Sequence, residues 1–134
     1  MNTAARSILA LSTAMTAGVS AVIVAPSAHA AEMVTYEVFS SSIGAANIEY
    51  FDGVIRQARI NEPLPWRITV PVANPTSVGF DTAEVRADWR WAAAPNRWVT
   101  TRIYFGDKLR CENSLDVGNA ACYGTTPFNN SLPQ

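Results

Sequence analysis

From Val34 onward the apolar residues of this chain fall at nearly every second position, and no ten-residue window carries an apolar stripe at helical spacing. Alternation of period two turns one side chain in two toward a common face, which is the pattern of a half-buried β-strand. Residues 34–40 (VTYEVFS) set Val34, Tyr36 and Val38 against Thr35, Glu37 and Phe39, and residues 40–44 (SSSIG) supply a turn. Residues 47–52 (NIEYFD) lead into Asp52-Gly53, a dipeptide that accepts the positive φ of a tight hairpin, and residues 54–60 complete that hairpin. Residues 82–91 (TAEVRADWRW) place Val85, Ala87, Trp89 and Trp91 on one face and Arg86, Asp88 and Arg90 on the other. Residues 98–105 (WVTTRIYF) and 108–113 flank Gly106-Asp107, whose leading glycine suits a type II′ turn, and a last strand falls at 120–123.

The most regular alternation follows two prolines. In residues 61–72 (NEPLPWRITVPV), Leu64, Trp66, Ile68, Val70 and Val72 share one face, with Pro65, Arg67, Thr69 and Pro71 opposite. Pro63 and Pro65 lack an N–H donor and have a fixed φ, so they belong at a strand start or on a sheet edge. They predict a stiff, extended lead-in that directs Trp66 inward. Turn signals roughly every 8 to 12 residues separate about seven strands, or eight with the last one, and predict an all-β fold, an immunoglobulin-like antiparallel β-sandwich.

The first thirty residues follow a different rule. Arg6 is their only charge, residues 8–25 carry none, and Pro26 precedes Ala28-His29-Ala30, a small-x-small site of the kind signal peptidase reads. The reading is a signal peptide over residues 1–30, cleaved after Ala30. The alternative is a retained membrane anchor, because eighteen uncharged residues can reach across a hydrocarbon core of about 30 Å. Either way the protein is exported, secreted or held in the cell envelope, with a sandwich domain over residues 31–124 and a loose tail over residues 125–134.

Loss of the leader removes Arg6 and no acid, so the formal net charge moves from −1 to −2. Such a balance lacks the clustered positive excess that a nucleic-acid partner requires. Cys111 and Cys122 are the only cysteines, and in an oxidising compartment they predict an intrachain disulfide worth about 3 kcal/mol in the chain-entropy model. The single histidine, His29, lies in the leader, so the mature chain lacks the base of a Ser-His-Asp or Cys-His site and the commonest zinc ligand. Glu37, Glu49, Asp52, Asp88 and Glu112 could supply a two-carboxylate site, but they sit mostly on the polar phases of their strands, as a solvated face would. No glycine loop of the phosphate-binding kind is present. The expectation is a non-enzymatic protein with no cofactor and no metal.

Four tryptophans invite a binding reading. Trp66 and Trp89 are expected in the core, and so, on the same inward phase as Trp89, is Trp91, with a binding surface as its alternative. Trp91 adjoins the loop at 92–97 and Trp98 lies across it; with Arg97 they form the candidate binding surface for a lipid or glycan. Arg86, Arg90, Arg97 and Arg102 read as a solvated face with local ion pairs.

Three segments taken in order carry a family resemblance: VTYEV at 34–38, NIEYFD at 47–52 and PLPW at 63–66. Together they resemble the soluble domain of the mycobacterial small membrane proteins called MmpS. The similarity is strongest from Val34 to Val72; beyond it Arg102-Ile103, Gly106-Asp107 and Ala121-Cys122 match the closing hairpin and final cysteine. The resemblance implies an N-terminal membrane helix and an extracytoplasmic β-sandwich. It also implies a transport accessory working with a large MmpL-type exporter of the RND class, on siderophore or envelope-lipid cargo, and it transfers no catalytic residue. The earlier family cysteine falls near Thr101 here, so a disulfide through Cys111 joins a different pair of positions. A cleaved leader would instead make the chain a free secreted lipid- or glycan-binding module.

Overall fold

The computed structural model describes residues 30–126, so the leader reading for residues 1–29 and the tail from residue 127 lie outside the described residues. Alternation becomes structure throughout the described part, where eight strands form and no helix is present. In chain order they are β1 (Glu32–Phe39), β2 (Ala45–Phe51), β3 (Arg56–Pro63), β4 (Trp66–Val72), β5 (Glu84–Asp88), β6 (Val99–Phe105), β7 (Lys108–Leu115) and β8 (Asn119–Tyr123). They pair antiparallel into two four-stranded sheets, ordered β4-β1-β6-β7 and β3-β2-β5-β8. The sheets face each other as a β-sandwich, with the strand at 120–123 making the count eight.

The inner faces hold the residues that the period-two pattern selects. Val34, Tyr36 and Val38 of β1 lie opposite Ile48 and Tyr50 of β2 and Val85 of β5, all of them buried. Thr35 and Glu37 take the outer phase, where the Thr35 hydroxyl meets that of Thr69 at 2.8 Å across the β1–β4 pair. Both glycine hairpins form. Gly53 has φ 99°, and the carbonyl oxygen of Pro71 lies 2.0 Å from where a Cβ would stand, so no other residue fits. Gly106 has φ 56° between β6 and β7, as the first central position of a type II′ turn requires.

The proline segment departs from expectation. Pro63 still pairs with Ala45 at the end of β3, the Leu64–Pro65 peptide is cis, and Trp66 opens β4 in the other sheet. The prolines therefore mark a turn that carries the chain from one sheet to the other, not an extended lead-in. Both β3 and β4 are edge strands, so side chains between them have protein on one side and solvent on the other. Trp66, Leu64 and Ile68 are accordingly half-buried, while Val70 and Val72 are buried further along the same face. Trp66 packs 5.2 Å from Tyr50 between ring centroids, and Tyr50 lies 5.8 Å from Tyr36. This tilted aromatic row ties the rim to the core, each contact contributing about 0.5–1.5 kcal/mol beyond burial. The Tyr36 hydroxyl has no hydrogen-bond partner among the described residues, and burial pushes its pKa well above the ordinary phenol value. Near the end of β3 a bulge at Asn61, φ 52°, is held by its amide donating to the Asn47 side-chain oxygen at 2.9 Å.

Four of the five connections between the sheets (residues 40–44, 64–65, 89–98 and 116–118) lie at the end where β1 finishes. The fifth, residues 73–83, lies at the end where β1 begins. Cys111 on β7 and Cys122 on β8 form the expected disulfide, with Cα atoms 5.7 Å apart, joining the edge strands of opposite sheets. Replacing both cysteines by serine is expected to lower unfolding free energy by about 3 kcal/mol in urea denaturation; an unchanged midpoint would mean that burial alone holds that edge.

Candidate functional site

The loop from Trp89 to Trp98 is built around one buried indole. Trp89 is wholly buried; its Nε1–H donates to the Arg97 carbonyl at 2.8 Å and its own amide donates to the Gly118 carbonyl at 2.8 Å. The Arg97 guanidinium returns across the loop, donating to the carbonyls of Trp89 and Arg90 at 3.2 Å each. Gly118, at φ 104°, leaves no room for a side chain beside Arg90. Arg97 is thus a clasp on its own loop and not a free cation, which alters its role in the candidate binding surface.

The two remaining tryptophans of that surface are solvent-facing. Trp91 is 55% and Trp98 51% exposed. Trp91 borders a shallow depression of about 380 Å³ shared with Ile43, Asn61 and Ala93. The Trp98 carbonyl accepts a hydrogen bond from the Ser40 hydroxyl at 2.6 Å, and Ser42 donates to Asn96 at 2.7 Å, so the loops at 40–44 and 89–98 are fastened together. Trp91 departs from the inward phase of its strand because β5 ends at Asp88 and the chain turns at Trp89, where the Ala92 amide donates back to the Trp89 carbonyl at 2.9 Å.

The arginines make local ion pairs and do not form one strip, since they divide between the two outer faces. On the sheet containing β1, Glu37 lies between Arg67 (2.8 Å) and Arg102 (3.2 Å), and Arg102 continues to Glu112 (2.5 Å). Cross-strand register produces this ladder, because Glu37 pairs with both Arg67 and Arg102, and Arg102 with Glu112. On the other sheet Glu84 is buried beneath Arg56 (2.6 Å) and Arg86 (2.5 Å), and Arg90 grips Asp88. The Arg90 hydrogen bond holds the Asp88 carboxyl below its usual pKa.

The five acids considered for a carboxylate pair are dispersed accordingly. Glu37 and Glu112 lie on one outer face, Glu49 and Asp88 on the other, and Asp52 caps the β2–β3 turn by accepting from the Val54 and Ile55 amides at 2.8 Å each. Those amides and the Gln57 side chain, with the Ile55 amide foremost, hold the Asp52 carboxyl below its ordinary pKa. Among the described residues no group of three His, Cys, Asp or Glu side chains comes together to hold a metal ion.

Sequence reading did not single out a groove of about 520 Å³ on the outer face of the β3-β2-β5-β8 sheet. Its floor is low because Ala58 and Ala121 occupy outward positions, and Arg59, Arg86, Glu49 and Tyr123 line it. Small residues on the polar phases of two strands were the available signal, though pairing was needed to bring them into one surface.

The fold and these surfaces define a disulfide-clamped, all-β sandwich whose charged groups mostly neutralise one another. Over residues 6–124 the chain matches the family model described as Mycobacterium membrane protein, and it belongs to that family, the MmpS-type one. It is a protein of the mycobacterial envelope. No curated protein matches the chain. Among the described residues no helix is long and apolar enough to cross a membrane.

Two substitutions test these assignments. Arg97→Ala is expected to destabilise the fold by about 1 kcal/mol in urea titration, as loss of partly exposed hydrogen bonds does. For Asp52 the folded pKa lies below the unfolded one, so its stabilising effect is present at neutral pH and fades as pH falls below about 4. Asp52→Ala should therefore lower Tm at pH 7 and shrink the Tm loss between neutral and acid pH; an equal loss in both proteins would refute the capping role.

Proposed function

We propose that this protein is a non-enzymatic transport accessory of the mycobacterial envelope, whose sandwich docks against an MmpL-type exporter or the siderophore or lipid it carries. The observation that carries this reading is family membership over 6–124, a span that includes both the charge-free stretch at 8–25 and the whole sandwich. The chemistry of the side chains supports it. Glu37, Glu84, Asp88 and Glu112 each face a guanidinium, and Asp52 is held by turn amides. A general acid needs a carboxyl whose pKa is raised toward neutrality, and the depressed values of Asp52 and Asp88 are the reverse.

A second reading, a free secreted module for lipid or glycan, draws on the exposed rings of Trp91 and Trp98 at one end of the sandwich. Aromatic faces presented beside a shallow depression suit sugar rings or acyl chains.

Affinity recovery of the full-length chain from mycobacterial membranes separates the two. The accessory reading expects an MmpL-type transporter in the recovered material and an intact mass that retains residues 1–30. Recovery of no transporter, with the protein confined to culture filtrate at the mass of a chain beginning at Ala31, overturns it. Ligand-dependent tryptophan emission that is lost in Trp91→Ala and Trp98→Ala would then favour the secreted module.

A further inference from the structure

The connection at 73–83 carries the most exposed apolar side chains of the described residues. Val78 is 99% and Phe80 98% exposed, at the tip of the one inter-sheet connection found where β1 begins. A free tip of this kind would usually be polar, since apolar groups in water gain nothing. It is nonetheless firmly framed at its base. The Ala83 amide and the Thr82 hydroxyl both donate to the Pro75 carbonyl, at 3.0 and 3.2 Å. The Ser77 amide donates to the Asn74 carbonyl at 3.0 Å, and the Ser77 hydroxyl accepts from the Gly79 amide at 3.0 Å. Pro75 itself is buried against Gly124, where any side chain would strike its carbonyl. The loop that presents the two apolar groups is therefore anchored at its base, which lowers the ordering entropy that would oppose their burial.

The same end holds more apolar surface and the point where the leader joins. Met33, Val54 and Ile55 are exposed there, the latter two on the β2–β3 turn that packs beside Pro71. The charge-free stretch ends at Ala25, seven residues before β1 begins at Glu32, a tether that spans at most roughly 25 Å. The family match begins at residue 6 and so includes that stretch. With residues 8–25 in a bilayer, that tether keeps this end of the sandwich within roughly 25 Å of the membrane surface.

We propose that Val78 and Phe80 form a membrane-contacting tip that enters the interfacial layer of a phospholipid bilayer and orients the sandwich upon it. An apolar pair framed by polar residues suits shallow entry to headgroup depth. Asp81, next to Phe80, receives a hydrogen bond from Asn74 at 3.2 Å, and the Ser77 hydroxyl, foremost, keeps its carboxyl below the usual pKa. It stays ionised at neutral pH and marks the depth at which insertion stops. The tryptophans Trp91 and Trp98 point from the opposite end, toward the medium or a partner.

The test uses the full-length chain in phosphatidylcholine–phosphatidylglycerol vesicles whose acyl chains are brominated just below the headgroup. Phe80→Trp is expected to add a blue-shifted emission component that the brominated lipid quenches. The wild type, with its indoles at the far end or in the core, should lose little emission. Val78→Trp is the second variant and should behave in the same way. Equal quenching in wild type and both variants overturns the proposal. So does a blue shift in the variants that the brominated lipid does not quench, since the tip would then be covered by protein and not by lipid. Failure to recover a transporter in the affinity experiment would leave this outcome unaffected.

Discussion

Two sheets that share no ladder of backbone hydrogen bonds stay face to face here because one side chain in two is driven out of water between them. Val34, Tyr36 and Val38 meet Ile48, Tyr50 and Val85 in that layer, and each such apolar side chain contributes about 1.5–3 kcal/mol on burial. Every other feature follows from that division. It fixes register, because a slip of one residue would bring Glu37 inward and turn Tyr36 outward. It places Glu37, Arg102 and Glu112 on one outer face, where register makes them neighbours. It also leaves the ends of the sandwich, more than its sides, with unpaired apolar groups.

The features legible in the sequence were those governed by local physics. Alternation identified the strands and most of their inward residues, and the hairpins at Asp52-Gly53 and Gly106-Asp107 formed where positive φ demanded glycine. Cys111 and Cys122 had no other partners to choose from. What sequence reading could not reach depended on which strands become neighbours. The prolines at 63 and 65 looked like the start of a strand, yet the chain changes sheets between them and Trp66, a fact written in the pairing of β3 with β2 and of β4 with β1. Trp66 looked like core and lies at the rim, because both strands beside it are edges. Arg97 looked like an exposed cation beside two tryptophans, and only the path of its loop brings the carbonyls of Trp89 and Arg90 within its reach.

The resemblance would set the earlier cysteine near Thr101, and the disulfide of this chain runs elsewhere. Thr101, near the position where the resemblance expected the earlier cysteine, is buried on β6, and its carbonyl lies 3.5 Å from the Cys122 sulfur. Cys111 stands on β7, the strand paired with β6, opposite Ile103. With its first sulfur on β7, the clamp lies at the sandwich edge, joining the outermost strands of the two sheets.

The uneven placement of the inter-sheet connections gives the molecule two unlike poles. Four crossings brace the pole that bears Trp91 and Trp98, while a single eleven-residue span joins the sheets at the pole where the leader attaches. The domain is thus sewn mainly along one rim, and on the side of its tether the sheets are kept together by one framed span and, further in, by the disulfide.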